Sequence, residues 1–506
     1  MVELGGWGAL CKSILALLIL GSALLEPCVC VSSDEKVEVW LTTGDGEERL
    51  NRSEISFNPV NATDSPIIVV LDDENHRYQK MEGFGAAMTD SSAWLLYELK
   101  TNDSDKYWRV MNKLFNNSSG INISYIRLPM GASDFALYSY TYDNMSNGQV
   151  DPTLENFSIN HDREYIIPVL QDAINITPQI KFMASPWSAP AWMKNSNNLN
   201  GGSLNPEYYE AYAKYFVYFI QNYTEAGIPI DSITVQNEPQ NKDAIDYPSM
   251  VMDWQEQNNF VIYNLGPKFR EENISTKILI WDHICDNKSF AFLEILNNST
   301  AKNFVYGTAW HGYYGGPDPK NYTPGIYISQ AFNATHKTHP DKHIYFTERS
   351  ASSDCLIRGF SASDLVWWCR EIFIPATRNW SETVLMWNMV LDEKKGPQNG
   401  GCDICFGLIT INTCSNGEPY IETEYYVLGH FSKFVDRGAS RIESTTSEDL
   451  KTVAFKNQDH SIVLIVLNNN DTNPKPFDVQ WHDQHFSYEL QKQSIVTFIW
   501  NQTATD

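Results

Sequence analysis

The stretch ITVQNEPQ, residues 233–240, decides how the rest of the chain is read. Ile233 and Val235 alternate with polar residues at the two-residue period of a strand. The run then ends in Asn237, Glu238 and Pro239. Proline has no N–H to donate and restricts the residue before it, so a strand cannot continue through it. A carboxylate at such a stop either begins a turn or faces a pocket.

Seven more apolar runs flank this one: MEGFGAAMTD (81–90), NISYIRLPM (122–130), IKFMASPW (180–187), KILIWDH (277–283), VYGTAWHGYY (305–314), HIYFTERS (343–350) and TVLMWNMVL (383–391). Between them lie SSAWLLYELK (91–100), EYYEAYAKYFVYFIQNY (207–223) and DLVWWCREIFIPATRNW (364–380), whose apolar residues recur at three and four as in helices. Eight strands alternating with helices over this length predict an α/β fold, a (β/α)8 TIM barrel. A doubly wound open sheet is the alternative, but no glycine-rich phosphate loop follows any strand.

Outside the barrel the pattern changes. KTVAFKN (451–457), SIVLIVLNN (461–469), FDVQWHD (477–483) and SIVTFIW (494–500) alternate with polar turns, as do KVEVWLTT (36–43) and PIIVVLDD (66–73). They predict an accessory all-β sandwich built from N- and C-terminal segments. The expected organisation is a signal peptide over 1–30, N-terminal sandwich strands over 31–80, the barrel over 81–430 and the C-terminal sandwich over 431–506.

Net charge is −25, with 37 Lys and Arg against 62 Asp and Glu. Nucleic acid is therefore not an expected partner, since phosphate binding needs clustered cations. Lys12, the apolar run over 14–25 and the small residues after it read as a cleavable secretory leader. Nineteen Asn-X-Ser/Thr sequons run from Asn51 to Asn501, about three times the chance number, which predicts a glycoprotein. Lysosomal or extracellular localisation is the expectation. Cys285, Cys355, Cys369, Cys402, Cys405 and Cys414 remain after the leader, an even number that suits about three disulfides in an oxidising lumen. CDIC (402–405) has the form of a redox motif or half a zinc site. No second CxxC accompanies it, so no metal or cofactor is expected.

Catalytic groups of a TIM barrel sit at the C-terminal ends of its strands. Those ends carry Asp90, Arg127, Trp187, Asn237 with Glu238, Asp282 with His283, His311 with Tyr313, Glu348, and Trp387 with Asn388. Singly, each reads most simply as a cap or a satisfied core group; together they mark a site. Glu238 and Glu348 supply the two carboxyls that a retaining glycosidase needs, one to attack the anomeric carbon and one to protonate the leaving oxygen. Asn237 suits a sugar 2-hydroxyl, and Trp187 and Trp387 offer flat faces to a pyranose.

GFGAAMTDSSAWLL, IRLPMGASDFALYSYTYDN, ASPWSAPAWMK, TVQNEP, YFTERS and LGHFSKFV together resemble glycoside hydrolase family thirty, in particular its glucosylceramide-cleaving branch. The resemblance runs from about Met81 to the C-terminus. It implies Glu238 as general acid/base with a raised pKa, Glu348 as nucleophile and Asp90 as a glucose-binding carboxylate. It also implies substrate-binding roles for Trp187, Asn237, Trp387 and Asn388, with Arg127, His311 and Tyr313 near the nucleophile. Gly312 and the loop KKGPQNGGCDIC (394–405) depart from that branch on the aglycone side.

The expected function is hydrolysis of glucosylceramide by double displacement, linking the protein to sphingolipid metabolism. The implied partner is a β-glucoside or glucosphingolipid, with transient membrane-surface contact through loops at the barrel mouth. Another β-glycosidase of the family, such as an endo-β-1,6-glucanase or β-xylosidase, is the alternative. A catalytically silent glycan- or glycolipid-binding protein is the alternative of a different class.

Overall fold

The computed structural model describes residues 36–59, 65–146, 148–286, 289–313, 323–352, 359–414 and 417–501. The expected leader and Cys355 lie outside them.

Eight parallel strands close into a barrel: β1 (Gly83–Ala87), β2 (Tyr125–Met130), β3 (Lys181–Pro186), β4 (Ile230–Thr234), β5 (Lys277–Ile284), β6 (Val305–His311), β7 (His343–Glu348) and β8 (Ser381–Asn388). Each pairs with the next in sequence, and β8 pairs with β1. Glycine permits the β1 contact, because a Cβ on Gly85 would lie 1.9 Å from the Tyr125 carbonyl oxygen.

The two-residue alternation of the strands stacks their side chains in layers inside the barrel. Tyr125, Met183, Leu279, Ala309, Tyr345 and Leu385 form one buried apolar layer. Two residues further along, the same strands present Arg127, Ser185, His311, Thr347 and Trp387, also buried. The apolar layer closes the barrel beneath this polar one. Below it, Asp231 accepts from Tyr125 (2.8 Å) and pairs with Lys181 (3.0 Å) and Lys277 (3.2 Å), and Glu82 pairs with the same two lysines, so two carboxylates match two ammonium groups at the bottom of the barrel.

Outside the barrel, eleven strands form a sheet that wraps around a second core, and two small sheets of two and three strands complete the loops at the barrel mouth. Lys36–Thr42 lies between Arg49–Ser56 and Ile495–Asn501, and Ile67–Leu71 lies between Ser440–Ser444 and Lys475–Trp481. N- and C-terminal segments thus interleave, as the sequence predicts. Val37, Val39, Ile68 and Val70 from the first part of the chain share that core with Leu464, Val479, Phe486 and Phe498.

The cysteine count misleads. Among the described residues only Cys402 and Cys405 are joined, while Cys285 and Cys369 are buried thiols and Cys414 is an exposed one. Cys285 ends near the barrel wall and Cys369 sits within a helical segment, so both serve as small apolar core residues. No helix among the described residues is long and apolar enough to cross a membrane.

Candidate active site

Strand β4 stops at Thr234, four residues short of Glu238. The following segment still spans its neighbours: Val235 N–H donates to Leu279, Asn237 N–H to Pro186, and Glu238 N–H to Asp282. Glu238 itself is left-handed, at φ 46°. Extended backbone is the norm before proline, so the Glu238 amide bond to Asp282 holds an uncommon conformation here.

Strand β5 has a comparable irregularity. A bulge separates Trp281 from His283 in its pairing with β6, and Trp281 and Asp282 have φ of 75° and 56°. Consecutive residues of a regular strand face opposite ways, whereas a bulge re-aims them. Asp282 therefore reaches Arg127 and His311 while His283 approaches Glu238.

Arg127 organises the buried side of the site. Its Nη1 pairs with Glu348 Oε2, and its Nη2 donates to Asn237 Oδ1 (2.7 Å) and Asp282 Oδ2 (2.9 Å). Trp187 and Trp387 stack on each other at 5.0 Å and 22°, with the guanidinium 4.9 and 5.4 Å from their rings. The two indoles thus spend ring faces on one another and on Arg127. Asp282 is fixed further by the hydroxyls of Thr347 and Thr234, each at 2.7 Å.

His311 joins the two glutamates. Its Nε2 lies 3.1 Å from Asp282 Oδ1, and its Nδ1 lies 3.3 Å from Glu238 Oε1 and 3.8 Å from Glu348 Oε1. The other oxygen of Glu238 accepts from Asn241 (2.7 Å). The Tyr313 hydroxyl accepts from the Ser350 amide (3.1 Å) and is bonded to Glu348. Glu238, Glu348, Arg127, Asn237, His311, Tyr313, Trp187 and Trp387 are therefore one assembly.

Two expected substrate ligands are held by contacts of their own. Both oxygens of Asp90 are used, one by His161 and Tyr165 (2.7 Å each) and the other by the Leu137 amide (2.9 Å). Asp90 thereby anchors the chain after β2, and its two oxygens keep acceptor capacity beyond these three bonds. Asn388 accepts from Thr89 (2.9 Å) and is 2% exposed; it ties β8 to the segment after β1. A further carboxyl that feels both glutamates is Asp134, just after β2. Burial and the nearby charges of Glu348 and Glu238 push it well above the ordinary carboxylate range. Sequence reasoning missed it although it lies inside GASDF.

The protonation pattern also corrects an expectation. Burial opposes ionisation of Glu238, but the His311 hydrogen bond, the charges of His283 and His311, and Asn241 outweigh it, lowering Glu238 to about 2. Burial raises Glu348 despite His311 and Arg127. Burial opposes charge on His311 as well, yet Glu348, Asp282 and Glu238 bring it up to about 9. The lowered Glu238 and the raised His311 both favour the proton on His311.

A closed barrel with two buried carboxyls facing each other across its mouth is the site of a glycoside hydrolase. Residues 81–435 match the glycosyl hydrolase family 30 TIM-barrel domain, and residues 438–498 match the family's beta sandwich domain. The chain belongs to glycosyl hydrolase family 30. It is 29% identical to an endo-1,6-beta-D-glucanase of Neurospora crassa, over 94% of this chain and 97% of that protein. It is 28% identical to the lysosomal acid glucosylceramidase of Mus musculus, over 89% and 87%. A solved endo-beta1,6-glucanase superposes with a TM-score of 0.82 at 30% identity, covering 92% of this chain and all of that one.

Proposed function

We propose that the protein is a retaining β-glucosidase in which Glu348 is the nucleophile and Glu238 the acid/base, acting on β-1,6-linked glucose. The observation that carries the chemistry is the approach of both carboxylates to one nitrogen, His311 Nδ1, at 3.3 and 3.8 Å. That closeness favours the gap of about 5–5.5 Å of direct attack over the wider gap that admits a water. Arg127 orients Glu348 toward the anomeric carbon. A bound sugar expels water, which makes the Glu238 anion costlier. The His311 proton then crosses to Glu238 Oε1 and on to the leaving oxygen as the glycosyl–Glu348 ester forms. Glu238, left as a carboxylate, takes the proton of the water that cleaves the ester. The Asn237 oxygen is already bound by Arg127, which leaves its NH2 as donor to a sugar hydroxyl.

The β-1,6 linkage is supported by the relatives with that activity and by the polar rim of Asp134, Asn241 and Tyr247. Glucosylceramide is the second reading. It is favoured by the glucosylceramidase likeness and by Ile245 (65% exposed) and Ile404 (38% exposed), on two loops that meet where Gly400 abuts Asp246. These apolar tips suit brief contact with a lipid surface, and a lysosomal or extracellular location accords with either substrate.

Glu348→Gln is expected to lower turnover of an aryl β-glucoside by about 10³-fold or more; near-normal turnover would refute the assignment. Parallel assays on a β-1,6-glucan and on glucosylceramide in detergent decide the aglycone, with a higher kcat/KM on the glucan expected.

A further inference from the structure

Glu238, His283 and His311 bring three potential ligand atoms within 4.8 Å of one another. The preceding mechanism uses Glu238 and His311 but gives His283 nothing to do. We propose that this trio is a transition-metal site, and that Zn2+ bound there inhibits the enzyme by competing with the glycoside for Glu238. The inhibition rests on Glu238 being the acid/base; the metal binding does not.

The spacing suits tetrahedral zinc. Ligand atoms about 2.0–2.1 Å from the ion stand about 3.3 Å from each other. Glu238 Oε1 and His311 Nδ1 are already 3.3 Å apart, His283 Nδ1 is 4.0 Å from the same oxygen, and all three ligand atoms lie within 4.8 Å of one another, so a small movement of the His283 ring closes the site. Asn241 holds the other Glu238 oxygen and keeps Oε1 turned toward the imidazoles.

The outer contacts fit as well. A metal-bound histidine usually gives its second nitrogen to a carboxylate, which fixes the ring and strengthens the ligand. His311 Nε2 does this with Asp282, itself held by Thr347, Thr234 and Arg127. The bulge in β5 is what brings His283 to the same side as Asp282. The ion would replace the His311 proton, and once that proton has left, Glu238, Glu348 and Asp282 face one guanidinium, that of Arg127. Glu238 and His283 side chains keep 15% and 11% exposure, so an ion reaches them from the mouth, and water fills the fourth position.

Co2+ gives an optical readout independent of catalysis. Titrating the full-length protein with Co2+ should produce the intense visible bands of a tetrahedral site, and Zn2+ should erase them. Glu348→Gln, silent in hydrolysis, should keep the bands. His283→Gln and His283→Asn should each lose about tenfold or more in Zn2+ affinity by calorimetry, with unfolding midpoints close to the wild type. Zn2+ inhibition of aryl β-glucoside hydrolysis should raise KM and leave kcat unchanged. Absent bands, undiminished Zn2+ affinity in both His283 variants, or inhibition confined to kcat would each overturn the proposal. If Glu348→Gln stays active while the Co2+ bands appear, the catalytic reading fails and the metal site stands.

Discussion

At the scale of single residues, His311 sets the charge balance of the site. It is the cation nearest Glu238, and its own elevation to about 9 comes from the carboxylates around it, against burial. As pH rises through about 9 the imidazole loses its proton and the His311–Glu238 pair can no longer feed the leaving oxygen. As pH falls into the raised range of Glu348, the nucleophile is protonated. The profile of kcat/KM, which reports the free enzyme, should therefore be a bell whose acidic limb lies above 4.5 and whose basic limb lies near 9. His311→Gln removes the stored proton, so the basic limb should move at least one unit toward acid, with kcat down by about 10²-fold. An unmoved basic limb would refute the proton store. Asp134 belongs to this scale too. Its surroundings differ from those of Asp90, the carboxylate after a barrel strand that the sequence singles out. What separates them is partners that come from elsewhere in the chain: His161 and Tyr165 hold Asp90, and the charges of Glu348 and Glu238 act on Asp134. Asp134→Asn should raise KM for a β-glucoside about tenfold or more while the protein unfolds near the wild-type midpoint; an unchanged KM would place Asp134 outside the sugar site.

At the scale of elements, the barrel was readable because alternation along each strand encodes both the wall and the inner layers. Tyr125 and Arg127, or Tyr345 and Thr347, are legible as one face of one strand. The β5 bulge was not legible. Trp281 and Asp282 adopt left-handed backbone without glycine, so nothing in WDH marks the extra residue that turns Asp282 and His283 together. Disulfide pairing was equally hidden, because it depends on which cysteines the fold brings within reach. The loop after β8 shows what the one described bridge does. Asn399 donates to the Asp134 carbonyl (2.7 Å) and to Ser139 (2.8 Å), and Gly400 and Gly401 let the loop press on Asp246 and Asp134. Cys402 and Cys405 pack on the cluster containing Phe135, Trp187 and Trp387. The bridge therefore braces the loop after β8 against the two indoles and touches neither catalytic carboxyl directly. Cys402→Ser/Cys405→Ser should raise KM for an oligosaccharide about threefold to tenfold and leave kcat on an aryl glucoside within about twofold. The opposite split would assign the bridge to catalysis.

At the scale of the whole molecule, the sandwich and barrel share buried polar contacts that make them one folding unit. Arg378, from a barrel helix, donates to the Ser444 and Thr452 carbonyls (2.9 and 3.1 Å) and pairs with Glu443 (3.1 Å). His430, from helix Thr423–Ser432, lies fully buried between Thr497 (2.8 Å) and Thr42 (2.9 Å). Thr42 and Thr497 belong to the first and last strands of the sandwich, so one imidazole bridges the barrel and both ends of the chain. Burial lowers His430 to about 3, far below the 6.5 it has when unfolded. Between those values the unfolded chain binds a proton that the native protein refuses, so stability falls as pH drops from 6.5 toward 3. At 1.36 kcal/mol per unit, His430 alone should remove about 2–3 kcal/mol between pH 6.5 and pH 4.5. His430→Gln keeps a donor and an acceptor for the threonines without that titration. Denaturant unfolding at the two pH values should therefore show a smaller loss for the variant by about 2 kcal/mol, even if it starts less stable at pH 7. Equal losses in the two proteins would mean that His430 is protonated in the native state and that the junction between sandwich and barrel is open to water.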